Sequence, residues 1–272
     1  MYKDYKIVIV TPAGRKRYLE LLIPQIIKLR PIVDQYVLWV NTQNHSDLVY
    51  MNEVSNNNSD FIKLQFSDLP YMDGLGRIGS FCKQCIDKNT IYIRLDDDII
   101  YIDGVEYLKE FLDFRINNPD YFLVYLNILN NGICSYIHQR LGNVGTEKGI
   151  VNYIADDRIG WDDPNFAKYL HETILNKDLD DFRFNKPWNL FNNELVSVNA
   201  ICWLGSEFAK FNGEVDKDEE RYLSVNIPKS MNKYNCIFGN FICIHYAFFT
   251  QRKLLDSTDI LEQYKNKFNL SV

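Results

Sequence analysis

Three consecutive carboxylates, Asp96-Asp97-Asp98, end the apolar run Ile91-Tyr92-Ile93-Arg94-Leu95, and apolar residues resume at once with Ile99-Ile100. Carboxylates set beside a core need partners, because an unpaired buried charge is costly. Alternate residues of an extended chain share a face, so this spacing puts Asp96 and Asp98 together. Two convergent carboxylates suit a hard divalent cation such as Mn2+ or Mg2+. A solvated acidic turn with helix-capping aspartates carries the same letters. The core strand running straight into the carboxylates favours the site.

Other segments also carry chemistry. Thr11-Pro12-Ala13-Gly14 follows the apolar run Ile7–Val10. Its Pro and Gly make a tight turn and bring the free N–H groups of a following helix near the strand end, a geometry that attracts anions; an ordinary βα loop is the plainer reading. Glu214 to Glu220 holds five acidic residues in seven positions, either a solvated face paired with Lys217 and Arg221 or a cluster with a task. His245 lies inside the apolar run Phe241–Phe249 and needs a partner there, a backbone carbonyl or a metal. His45, His138 and His171 lie in more polar stretches. Glycines at 74, 76 and 79 match a dinucleotide-binding fingerprint by letter, but no strand immediately precedes them, so that fold is set aside. Cys82 and Cys85 form a CxxC with no second copy; the six scattered cysteines read as small buried hydrophobes.

The elements that must hold these residues follow from periodicity. Strands are expected at Lys6–Val10, Tyr36–Val40, Phe61–Phe66 and Ile91–Leu95, with helices at Lys16–Leu29, Leu48–Val54 and Gly76–Asp87 between them. Such alternation indicates βαβ units and a mainly parallel sheet, whose ligands sit at the carboxyl ends of the strands. Further on, helices are expected at Val105–Asn117, Asp163–Asn176, Gly205–Phe211 and Lys253–Phe268. Strands are expected at Tyr121–Leu126, Val196–Trp203 and Phe241–Phe249. Residues 127 to about 161 read as connecting structure. Trp203 reads equally as core or as a ring face on which a ligand stacks.

The 272 residues are 46% hydrophobic and 24% charged, with a net charge of −6. That balance supports one α/β domain over residues 1–272 and argues against disorder, while the acidic surplus argues against nucleic acid as a partner. No run approaches the roughly 20 apolar residues of a membrane span, and the first residues lack a signal-peptide pattern, so a cytoplasmic protein is expected, peripheral membrane contact aside.

The Asp-x-Asp after the fourth strand, with Ile7-Val8-Ile9-Val10-Thr11-Pro12-Ala13-Gly14-Arg15 as the first strand and its loop, resembles the nucleotide-sugar glycosyltransferases of the GT-A fold. The resemblance is nearest to family 2-like inverting enzymes and covers residues 6 to about 103. It implies a GT-A, Rossmann-like sheet flanked by helices. Residues from about 1 to 103 would bind a UDP- or GDP-linked sugar, and an elaborated half from about 104 to 272 would bind a glycan or other hydroxyl acceptor. It further implies that Thr11 and Pro12 line the nucleoside pocket, that Asn41 meets the base and that Arg77 meets the diphosphate. Asp96 and Asp97 would face the nucleotide. Asp98, Asp96 and His245 would hold Mn2+ or Mg2+. The general base would be a carboxylate of Asp218-Glu219-Glu220, Glu220 first, three residues before Leu223. Two alternatives stand beside it. A sugar-nucleotide nucleotidyltransferase would carry a glycine-rich loop, and Thr11–Arg17 has one glycine. A non-catalytic sugar- or nucleotide-binding module would leave the acidic runs as surface.

Overall fold

The computed structural model describes residues 1–70 and 75–270. The first half alternates through β1 (Lys6–Ala13), α1 (Lys16–Lys28), β2 (Gln35–Val40), α2 (His45–Asn57), β3 (Ile62–Gln65), α3 (Leu75–Phe81) and β4 (Thr90–Leu95). Helix α1 forms because Leu19, Leu22, Ile23 and Ile26 recur at helical spacing, and all four are buried. Helix α2 starts where the Asn44 side chain accepts from the Ser46 and Asp47 N–H groups. The four strands pair in parallel in the order β3-β2-β1-β4, with Ile9 opposite Tyr36 on one side and Ile93 on the other. Every residue of β4 is buried, the signature of a strand covered on both faces.

The second half continues the same sheet. Its elements are β5 (Ile99–Ile102), α4 (Val105–Asn117), β6 (Tyr121–Leu129), α5 (Gly132–Arg140), α6 (Pro164–Asn176), β7 (Trp188–Leu190), β8 (Ala200–Leu204), α7 (Gly205–Phe208), α8 (Glu219–Arg221), α9 (Ile227–Ser230), β9 (Tyr234–His245), α10 (Phe249–Leu255) and α11 (Ile260–Lys267). Strand β8 runs antiparallel between β4 and β6, pairing Ile93 with Cys202 and Cys202 with Val124. Beyond it β6 and β9 are parallel, β5 closes the edge, and β7 adds to β9. The result is an α/β, Rossmann-like sheet flanked by helices.

Several boundaries differ from the sequence expectation. The stretch after Asn127 is not all connection: β6 runs on to Leu129, and α5 follows, capped by Asn131 onto the Cys134 N–H. The expected strand at Val196–Trp203 begins only at Ala200. The apolar run to Phe249 leaves the sheet at His245, where the last ladder bond to the β5 side runs from the Tyr246 N–H to the Asp98 carbonyl at 2.8 Å. The terminal helix is two helices, α10 and α11, broken at residues 256–259. The helix expected from Gly76 ends at Phe81 in a 3-10 turn, and Asp73 and Gly74 lie outside the described residues.

One core packs α1, α4 and α5 against the sheet. A second lies under α6, α10 and α11, where Phe166, Leu170 and Ile174 meet Ile242, Ile244, Leu255 and Tyr264. Each such apolar side chain contributes roughly 1.5–3 kcal/mol on burial. All six cysteines are free and buried, and burial pushes the Cys82 thiol up to about 12, which suits packing better than reactivity. Among the described residues no helix is long and apolar enough to cross a membrane.

Candidate active site

The carboxyl ends of β1, β2 and β4 open onto a cleft of about 610 Å³. Pro12, Gly14 and Arg15 enter it from β1, Asn41 and Thr42 from β2, and Arg94, Asp96 and Asp97 from β4. Because β8 and β9 return beside this end of the sheet, Asn199, Phe248, Phe249 and Arg252 reach the same space. Trp161 and Asp218 to Glu220 complete it. Sheet topology thus collects segments more than a hundred residues apart where α/β sheets bind ligands.

The aspartate run is a turn rather than an extended strand end: the Ile99 N–H donates to the Asp96 carbonyl at 3.1 Å. The expected shared face of Asp96 and Asp98 is therefore corrected, since each carboxylate has its own partners. Asp96 accepts from Arg94 Nη2 at 3.0 Å and from Asn199 Nδ2 at 3.1 Å. Asp97, buried, accepts from the Gly14 N–H at 2.9 Å and from Arg15 Nε at 3.0 Å, so it ties the β1–α1 loop to β4. Asp98, also buried, lies 3.0 Å from Arg15 Nη2, 3.4 Å from Arg252 Nη2 and 3.5 Å from His245 Nε2. Burial alone would raise the Asp98 carboxyl, but the charges of His245, Arg15 and Arg252 outweigh it and hold Asp98 well below the usual carboxylate range. Asp96 behaves oppositely. Burial, against the attraction of Arg94 and with Asp98 and Glu219 nearby, pushes it up to about 6.

The three carboxylates of the acidic run take three different tasks. Asp218 is exposed and caps the Arg221 N–H at 3.1 Å. Glu219 is buried and grips Arg94 with both oxygens, at 2.9 and 3.0 Å. Glu220 faces the cleft. Burial pushes its carboxyl up, a hydrogen bond with Ser197 opposes the rise, and Glu219 and Asp96 add to it.

Pro12 and Asn41 line the cleft. Thr11 is buried and accepts from the Tyr36 hydroxyl at 3.1 Å. Arg77 is buried too, with one Nη group donating to the Val40 carbonyl at 3.1 Å. Neither Thr11 nor Arg77 is among the described residues that line the cleft. Trp203 is core, stacked between Tyr92 and Phe208. Sequence reasoning missed Arg15 and Arg252 as the guanidinium groups of the cleft, and Trp161, Phe248 and Phe249 as its rings. The Phe-Phe-Thr-Gln-Arg stretch after the apolar run was the available signal, since a core strand does not continue into such residues.

A divalent cation suits part of the expected donor set. Asp98 Oδ1 and His245 Nε2 face each other, and His245 Nδ1 is bound to the Asn130 carbonyl at 2.9 Å, which fixes the ring as outer-shell partners of metal-binding histidines do. Asp96 is engaged elsewhere. Among the described residues no group of three or more His, Cys, Asp or Glu is arranged to hold a metal. Neither Asp98 nor His245 is among the described residues that line the cleft, and Asp98 also holds Arg15 and Arg252, so the pair offers an ion two protein ligands at most and leaves the rest to phosphate oxygens and water, as Mg2+ sites commonly do.

No family model matches the chain, and no curated protein matches it. Solved structures do. A mannosyltransferase from Pyrobaculum calidifontis, solved with GDP-Man and Mn2+, superposes with a TM-score of 0.58 at 10% identity, over 100% of this chain and 66% of that one. S. aureus TarS, solved with UDP, superposes with a TM-score of 0.50 at 11% identity, over 97% of this chain and 64% of that one. The chain thus spans about two thirds of either solved chain, 66% and 64%, the TarS chain being residues 1–349 of that protein. At such identities the likeness is one of fold, and the fold it shows is GT-A-like.

Proposed function

We propose that this protein transfers a glycosyl group from a nucleoside-diphosphate sugar to a hydroxyl acceptor, with inversion. The observation that carries the reading is a single cleft lined by Glu220, by Asp96 and Asp97 of the aspartate turn, and by Arg15 and Arg252. Arg15 and Arg252 are partly exposed guanidinium groups of the kind that grip phosphate oxygens. Pro12, Asn41 and Thr42 offer a wall for the nucleoside. Asp98 and His245 would hold a divalent ion, which supplies charge neutralisation for the leaving diphosphate.

Glu220, at the cleft and with its carboxyl raised by burial, takes the proton of the acceptor hydroxyl. The acceptor oxygen forms its bond to the anomeric carbon while the bond from that carbon to the diphosphate oxygen breaks. Glu219, clamped by Arg94, is poorly suited to that role. The nucleotidyltransferase alternative is less favoured because the single loop glycine, Gly14, spends its N–H on Asp97. That the structural neighbours were solved with GDP-Man and with UDP supports the donor class.

The test is nucleotide binding by calorimetry with Mn2+ and with EDTA, beside release of UDP or GDP from sugar nucleotides. Tighter binding with Mn2+, lost in Asp98→Ala, is expected. Equal affinity in chelator removes the metal from the reading, and failure of every sugar nucleotide to bind removes the reading itself.

A further inference from the structure

Phe249 exposes 69% of its surface and stands at the cleft beside Trp161 and Phe248. The Trp161 ring lies 5.4 Å from Phe249, edge to face, and 5.6 Å from Phe248. Exposed aromatic clusters at a cleft mark a ligand surface, because leaving them in water has a cost that a ligand can relieve.

The cluster is also rigidly built. Gln251, fully buried, donates to the Trp161 carbonyl at 2.8 Å. Its Oε1 accepts from Asn130 Nδ2 at 3.0 Å and from the Phe248 N–H at 3.2 Å. Asn130 in turn donates to the Tyr246 carbonyl at 3.0 Å. A buried amide pair therefore locks the Trp161 segment to the start of α10, and the rings meet a ligand without first being ordered.

We infer that Trp161 and Phe249 form the acceptor subsite and that the acceptor presents a sugar ring, its apolar C–H face on the aromatic surface. The inference rests on the glycosyltransferase reading and specifies its acceptor. Rings pack against the apolar side of a pyranose, while Glu220 and Asn199 in the same cleft offer groups for its hydroxyls. A nucleobase would also stack on such rings, but Asn41 and Thr42 follow β2, whereas Phe248 and Phe249, against which Trp161 packs, follow β9. These strands flank β4 from opposite sides of the sheet, so the two walls are separate.

The test is saturation-transfer NMR on the full chain with cellobiose, maltose, mannobiose and chitobiose, and with the open-chain polyol ribitol. UDP and GDP affinities are measured in parallel. Ring C–H protons of at least one disaccharide should receive saturation, and ribitol should not. Phe249→Ala, at an exposed position that folding does not need, should weaken that disaccharide about five- to tenfold, and Phe249→Tyr should restore it. Nucleotide affinity should stay within about twofold, the size of an effect without direct contact. No signal from any disaccharide, or nucleotide affinity falling with the aromatic ring while sugar signals persist, overturns the inference. Disaccharide binding in a protein that binds no nucleotide would instead sink the donor reading and leave the subsite standing.

Discussion

Replacing Arg94 by methionine should destabilise the protein far more than its position at a cleft would suggest. Arg94 is 3% exposed, holds Glu219 with two hydrogen bonds and Asp96 with a third, and Glu219 is itself buried. Methionine keeps much of the stem and removes the charge, so two carboxylates lose their common partner. Removing one member of a buried ion pair costs about 3–5 kcal/mol, most of it the uncompensated charge left behind. With a urea slope of about 3 kcal/mol/M, the midpoint should fall by about 1–1.7 M. The double variant Arg94→Met with Glu219→Leu removes both charges, and the midpoint should recover most of the loss; the cycle then gives a coupling of at least about 2 kcal/mol. Denaturation followed by fluorescence and by far-UV circular dichroism provides both numbers. A single-variant loss below about 1 kcal/mol, or a double variant no more stable than the single, would refute the picture of Arg94 as the clamp between β4 and the acidic segment.

Glu220→Gln should lower turnover by roughly a hundredfold or more and leave UDP or GDP binding nearly intact, read by kcat beside calorimetry. Because burial raises the Glu220 carboxyl, kcat/KM should fall with decreasing pH through a limb above the usual carboxylate range, a limb that Glu220→Gln should erase. Arg252→Ala should weaken a nucleoside diphosphate about tenfold while sparing the free nucleoside, since a guanidinium meets phosphate and not base. His138 is buried against Asn127, and burial lowers it to about 3. Its folded pKa lies below the unfolded value, so the stability it contributes is full above about pH 6.5 and declines as pH falls. By pH 5 the loss is about 2 kcal/mol, and urea titrations of His138→Gln should lack that part of the decline.

The parallel half of the sheet was legible because its signals are local. Each apolar run of β1, β2, β3 and β4 is bounded by turn residues, and α1 shows its buried stripe in the spacing of Leu19, Leu22, Ile23 and Ile26. The insertion of β8 between β4 and β6 is a long-range pairing that no local period records. The same divide runs through the cleft. Asp96 to Asp98 announced themselves as charges abutting a core strand, but their turn conformation and separate partners depend on Arg15, Asn199 and Arg252, which come from three other segments. Asp218, Glu219 and Glu220 all border the cleft, and spacing could not show that Arg94, on a distant strand, takes Glu219. Arg77 and Thr11 show the converse: residues at suggestive positions whose side chains are held by the protein's own Val40 and Tyr36.

The placement of β8 also bears on how the chain emerges from the ribosome. Strand β4 has β1 on one side as soon as the first half is made, but its other edge waits for residues 200–204. About a hundred residues separate the two, so at roughly 5–20 residues per second the edge stays open for about 5–20 s of synthesis. That edge presents unpaired N–H and C=O groups along a strand whose residues all end buried, the kind of strand that invites pairing with another nascent chain. Arg94 likewise waits for Glu219 until later still. A chaperone bound during that interval would have a clear task, and slowing translation between residues 95 and 200 should increase aggregation more than slowing it anywhere after residue 245.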